Sequence, residues 1–202
     1  MRRLTASATF KIREKASVFL TELHPAANAD ERNAVLARLR KRDFEATHHC
    51  SAWREGVPVV AHGADDDGEP NGTAGAPMLR VLEGNDLTDL IAVCIRWFGG
   101  TKLGTGGLVR AYTESLQGAI AEAGAAGLFE EVRVLRSGEI HVGPELAHLP
   151  FSVLGAFSEI EITDQSFANN ESLVRFTMPP GREAALEAAW QERSRGGRIH
   201  WL

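Results

Sequence analysis

The 202 residues, 44% hydrophobic and 24% charged, suit one large domain or two small ones with a real core. The formal net charge of −5 excludes a surface coated for DNA, so any nucleic-acid contact must use a local patch. No stretch reaches the roughly 18 apolar residues of a membrane span, and Met1-Arg2-Arg3-Leu4-Thr5 lacks the apolar run of a signal peptide, so a cytoplasmic protein without membrane contact is expected.

In chain order, residues 5–15 and 17–24 read as two strands broken at Glu14-Lys15-Ala16. Asn28-Ala29-Asp30-Glu31 has capping-box form and predicts a helix with Val35, Leu36 and Leu39 on one side. The basic residues Arg38, Arg40, Lys41 and Arg42 complement its C-terminal end. Thr47–Trp53 predicts a third strand and Pro58–His62 a fourth. In the third, neighbouring side chains alternate between faces, so His48 and Cys50 can converge while His49 cannot join them. With Cys94 inside an apolar run, two cysteines make no disulfide framework.

Asp65-Asp66-Asp67-Gly68-Glu69-Pro70 places four carboxylates in a short stretch. Three readings are open. The acids could hold Mg²⁺ or Ca²⁺, although the calcium-loop pattern is not matched. They could do acid–base work. Or they form a loop that caps the following helix, predicted over 72–82, and pairs with nearby arginines. Gly84-Asn85-Asp86 would close that helix.

Leu90–Ile95 is apolar throughout, a buried strand, and Leu108, Tyr112, Leu116, Ala119, Ile120 and Ala123 recur as one face of a helix. Between them lie five glycines, Gly99, Gly100, Gly104, Gly106 and Gly107, with Thr105 as a possible N-cap. A helix start behind a glycine-rich turn is an anion site in form. Arg96, Lys102 and Arg110 stand around it. The spacing is neither of the standard nucleotide fingerprints, so phosphate contact and a purely structural corner both remain open.

Gly124 and Gly127 end the helix, and Phe129–Leu135 reads as a strand or linker. From about residue 137 the order becomes β-α-β-β-α-β. The strands are predicted at Ser137–Val142, Glu159–Ala168, Ser172–Met178 and Arg198–Leu202, with an Asn169-Asn170 turn. Leu146 to Phe157 marks one helix, which Pro150 should kink or delay. Arg182–Arg195 marks the other, with Leu186, Ala189 and Trp190 inward and Gly196-Gly197 as its cap.

Two motifs together resemble the Impact N-terminal domain family, in its bacterial YigZ branch. One is Asp66-Asp67-Gly68-Glu69-Pro70-x-Gly72-Thr73-Ala74-Gly75-x-Pro77; the other is Val93-x-x-Arg96-x-x-Gly99-Gly100-x-x-Leu103-Gly104-x-Gly106-Gly107-Leu108-Val109-Arg110-Ala111-Tyr112. His48-His49-x-x-Ala52 and Lys15-x-x-x-Phe19 fall where that branch carries similar residues. Many relatives have Lys-Ser-x-Phe in the early strand, where this chain has Lys15-Ala16-Ser17-Val18-Phe19. The resemblance implies an α+β protein of two domains. Residues 1–131 would form a ribosomal protein S5 domain 2-like domain, with two helices on one face of a sheet. Residues 132–202 would form a ferredoxin-like βαββαβ domain like domain V of elongation factor G. Eukaryotic relatives regulate translation initiation through a ribosome-associated activator of a starvation-sensing kinase, a pathway bacteria lack.

Two functions are compatible with these residues. The first is a non-catalytic binding module linked to translation regulation, with RNA, the ribosome or a translation-associated protein as partner and no cofactor. Its contacts would be Arg96, Gly99, Gly100, Lys102, Gly104, Thr105, Gly106, Gly107 and Arg110 on phosphate. The second is a phosphate-directed enzyme using His48, His49, Asp66, Asp67 and Glu69, with or without a metal, in phosphoryl transfer or hydrolysis. The binding module is favoured, because no nucleophile–base pair is visible. If the acidic loop and the glycine corner face one cleft, they form a site; Arg96 or Lys102 would then pair with the acids.

Overall fold

The structure, a computed structural model, describes residues 1–168, 170–195 and 197–202. Asn169 of the predicted turn and Gly196 of the predicted cap lie outside the described residues. The chain is α+β and divides into two compact units, Met1–Val132 and Arg133–Leu202.

In the first unit the elements are β1 (Arg2–Leu4), β2 (Ala8–Glu14), β3 (Ser17–Pro25), α1 (Ala29–Arg42), β4 (His48–Glu55) and β5 (Ala61–Asp65). They continue with α2 (Gly75–Gly84), β6 (Leu87–Thr88), β7 (Leu90–Trp97), α3 (Thr105–Ala125) and β8 (Phe129–Glu131). Five strands form one sheet in the order β2-β3-β7-β4-β5, every neighbouring pair antiparallel. Three short strands form a second, in the order β6-β1-β8.

The central strand β7 explains the unbroken apolar run. Ala92 and Cys94 enter the core with α2 and α3, whereas Ile91, Val93 and Ile95 enter a second cluster with Leu39 of α1. Strand neighbours point to opposite faces, so a strand covered on both must be apolar at every position. Two helices therefore share one face of the sheet, and α1 covers the other. Leu108, Tyr112, Leu116, Ala119, Ile120 and Ala123 are all buried, as their helical spacing predicts.

Local chemistry sets the ends. The Asn28 carboxamide oxygen accepts the Glu31 N–H at 3.0 Å, and the Glu31 carboxylate accepts the Ala27 N–H at 2.7 Å, so the capping box forms with its return bond one residue upstream. The fourth strand differs from expectation: it runs over Ala61–Asp65, not Pro58–His62. Val60 N–H bonds back to the Glu55 carbonyl at 2.9 Å, which turns Gly56–Val60 into a loop and leaves Val60 exposed.

The second unit comprises β9 (Arg136–Val142), α4 (Leu149–Leu154), β10 (Glu161–Ala168), β11 (Glu171–Met178), α5 (Glu183–Ser194) and β12 (His200–Trp201). Its sheet runs β10-β11-β9-β12, all antiparallel. Ile140, Val174, Phe176, Leu186 and Trp190 are buried in its own core. Pro150 sits in the first turn of α4, so it delays the helix rather than kinking it. Among the described residues, no helix is long and apolar enough to cross a membrane.

Candidate functional site

The site starts from the pairing register. Phe19 on β3, Arg96 on β7 and His48 on β4 are direct cross-strand partners, so three side chains stand in a row on the face that carries α2 and α3. Arg96 is 4% exposed. Its guanidinium lies 5.2 Å from the Phe19 ring centroid and 5.4 Å from that of Phe98. A buried guanidinium needs an anion, and Glu69 supplies it: Arg96 Nη1 donates to Glu69 Oε1 at 2.5 Å. The Tyr112 hydroxyl donates to the same oxygen at 2.7 Å. Arg96 Nη2 donates to Ser17 Oγ at 3.2 Å, while Arg96 Nε is buried with no hydrogen-bond partner. Below this pair, Cys50 Sγ lies 3.0 Å from the Asp66 carbonyl and 3.2 Å from the Tyr112 hydroxyl, two acceptors for its one thiol proton. Burial, above all, raises the Tyr112 and Cys50 groups, so the phenol and thiol stay protonated as the donors this chain of bonds requires.

The acidic loop is divided among different tasks. Asp66 accepts the N–H groups of Gly72, Ala74 and Gly75 at 2.7, 2.9 and 2.8 Å and so caps α2 from a distance. Burial opposes ionisation of Asp66, but these three N–H groups outweigh it and lower its carboxyl. Asp67 pairs with Arg40 at 2.7 Å and accepts the His49 N–H at 2.6 Å. The loop is thus mainly the capping and arginine-pairing element, with Glu69 alone turned to the pair beneath the cavity. Among the described residues, no group of three or more His, Cys, Asp or Glu is placed to hold a metal ion.

A cavity of about 400 Å³ opens where the loop meets the start of α3. His48, Glu69 and Arg96 line one part; Lys102, Gly104 and Thr105 line another. Pro70, Phe98, Leu103 and Leu108 give it apolar walls, and Thr47 completes it. The His48 Nδ1 bonds to the Asp67 carbonyl at 2.8 Å. A carbonyl only accepts, so Nδ1 carries the proton and Nε2 is left free, 3.9 Å from Glu69 Oε1.

Both motifs therefore face one cleft, but not all predicted residues reach it. His49 lies on the opposite face of the sheet, buried, with burial lowering its imidazole. Asp66 and Asp67 are held by their own partners. Arg110, Gly99, Gly100, Gly106 and Gly107 do not line the cavity. Thr105 is not the N-cap; Gly104 occupies that position at φ +74°, with no side-chain cap, and Thr105 is the first helical residue. Gly99 has a packing reason, because a Cβ there would lie 1.9 Å from the Ala16 carbonyl oxygen. Gly106 has no such reason: a Cβ would meet nothing within 4 Å.

Sequence reasoning missed Phe98, Pro70, Leu103 and Thr47 as lining residues, and the roles of Ser17 and the Tyr112 hydroxyl. Phe98 follows the last residue of β7, two positions after Arg96, and carrying the strand alternation one residue further puts both on one face.

Residues 15–120 match the model of the Impact N-terminal domain. The IMPACT family member YvyE of Bacillus subtilis (strain 168) is 45% identical over 100 residues, 50% of this chain and 46% of the relative. The IMPACT family member YigZ of Escherichia coli (strain K12) is 44% identical over 100 residues, 48% of this chain and 49% of the relative. The matched segment thus spans about half the length of these curated relatives. A crystal structure of a hypothetical protein aligns with TM-score 0.62 and 29% identity over 100% of this chain and 95% of that one. The chain belongs to the Impact N-terminal domain family, in the branch that includes YigZ.

Proposed function

We propose that this chain is a non-catalytic, cytoplasmic binding protein linked to translation, and that the cleft between Glu69-Pro70 and the start of α3 receives phosphate of RNA or the ribosome. The observation that carries this reading is the convergence of two separate motifs on one cavity that holds Lys102 and a helix start with no side-chain cap. Such a start presents unpaired N–H groups and the positive end of the helix dipole. Translation enters through the family resemblance, whose eukaryotic members regulate initiation. The domain reading accompanies it. Residues 1–131 would be a ribosomal protein S5 domain 2-like domain and 132–202 a ferredoxin-like one, a reading supported for the second by the sheet order β10-β11-β9-β12 with a helix in each crossover.

The enzymatic alternative loses most of its residues. Only His48 and Glu69 of its five reach the cavity, and Glu69 Oε1 already receives Arg96 and Tyr112. Filter binding of tRNA and rRNA fragments at low salt tests the proposal. Retention by the wild type, weakened by Lys102→Ala more than by Arg110→Ala, is expected, because only Lys102 lines the cavity. No retention of any RNA by the wild type overturns it.

A further inference from the structure

We infer that the cavity takes one terminal nucleotide, a phosphate with its base, rather than a stretch of RNA backbone; the inference rests on the phosphate reading above. Charge carries the first half of the argument. Of the two cations lining the cavity, Arg96 is neutralised by Glu69 at 2.5 Å, and Lys102 makes no ion pair among the described residues. One free ammonium beside an uncapped helix start matches one phosphate group. A polyanion tracked along a groove needs a row of cations. Here the neighbouring loop instead carries Asp65, Asp66 and Asp67, and the whole chain is at −5.

The walls carry the second half. About 400 Å³ is within the range of small-ligand pockets and is far more than a phosphate fills. Pro70, Leu103 and Leu108 give it apolar surface, and Phe98 is 45% exposed, so its ring offers a face on which a base can stack. A polar group of a lining residue lacks a hydrogen-bond partner among the described residues. It is His48 Nε2, the ring nitrogen left when Nδ1 donates to the Asp67 carbonyl, which makes no hydrogen bond and lies 3.9 Å from Glu69 Oε1. An apolar slot with an unbonded ring nitrogen and a single anion site is the chemistry of a nucleotide pocket. The same chemistry is offered by a free mononucleotide and by the phosphorylated end of an RNA chain.

Calorimetric titration of the full chain at low salt separates these sources. The probes are AMP, adenosine, one tetranucleotide with a 5′-phosphate or a 5′-hydroxyl, and tRNA. The 5′-phosphorylated tetranucleotide is expected to bind at least tenfold tighter than its 5′-hydroxyl form, and AMP at least tenfold tighter than adenosine. Lys102→Ala should remove the phosphate preference, while Phe98→Ala should weaken both phosphorylated ligands by a similar factor. Both side chains are exposed, so the variants fold, as circular dichroism will verify. AMP binding without the tetranucleotide keeps the inference and overturns the RNA reading. Equal binding of the 5′-phosphate and 5′-hydroxyl forms, with tRNA retained, overturns the inference and leaves the RNA reading standing. Binding of none overturns both.

Discussion

Glu69 Oε1 receives the Arg96 guanidinium and the Tyr112 hydroxyl together, so its removal leaves a buried cation with Ser17 as its remaining side-chain hydrogen-bond partner. Breaking one half of such a pair costs about 3–5 kcal/mol. Glu69→Ala should lose that much in urea unfolding, whereas Tyr112→Phe, which removes one hydroxyl, should lose about 1–2 kcal/mol. A second buried carboxylate makes the stability depend on pH. Glu22 receives Arg42 at 2.5 Å and His24 at 3.0 Å, with Ser7 on the far nitrogen of His24 at 2.7 Å. Burial would raise the Glu22 carboxyl, but the His24 and Arg42 bonds outweigh it and lower it from 4.5 to about 2. A carboxyl depressed on folding stabilises above its unfolded value and loses that contribution as pH falls through the folded one. The shift corresponds to about 3 kcal/mol. Wild-type stability should therefore fall between pH 4.5 and about 2, and Glu22→Gln, less stable at pH 7 by about that amount, should lack this part of the fall. Asp66 acts in the same direction, and so does His49, whose lowered imidazole makes stability decline as pH drops below 6.5.

Among the elements, the glycine corner shows which parts of the architecture sequence patterns expose. Long periodic segments were legible: β7 by its apolar run, α3 by its buried face, α1 by its capping box. Strands β1 and β6 were not, and β8 was legible only as a strand or linker over Phe129–Leu135, since two or three residues carry no period and their pairing partners are far along the chain. The capping role of Asp66 was half legible. Acids before a helix suggest a cap, but the reach from Asp66 to Gly75 depends on how the loop folds. Tyr112 was legible as a core position, though its hydroxyl needed the opposing Glu69 to have meaning. The glycines divide in the same way, and two substitutions separate them. Gly99→Ala places a methyl 1.9 Å from the Ala16 carbonyl and should destabilise by more than about 2 kcal/mol, because backbone at the β2–β3 turn must move. Gly106→Ala meets nothing within 4 Å and gains helix propensity, so α3 should be stabilised by about 0.5 kcal/mol. Thermal unfolding of the two variants should shift Tm in opposite directions.

At the scale of the molecule, the −5 charge and the placement of the cations decide how binding responds to salt. Each phosphate neutralised on a single strand contributes roughly −0.7 to the slope of log K against log salt. Contact with all four phosphates of a 5′-phosphorylated tetranucleotide would give a slope near −2.8, a loss of about fiftyfold between roughly 50 and 200 mM salt. In the cavity only Lys102 is without an ion-pair partner among the described residues, because Glu69 neutralises Arg96. One contact predicts a slope of about −0.7, or about a threefold loss over the same range. The 5′-phosphorylated tetranucleotide, titrated at four salt concentrations, should follow the shallow line, and Lys102→Ala should flatten it further. A steep slope would mean that exposed arginines outside the cleft, Arg110 among them, bind the strand instead. The acidic balance of the chain and the shallow slope then express one fact: affinity here comes from a shaped pocket at one helix start, not from the field of the whole protein.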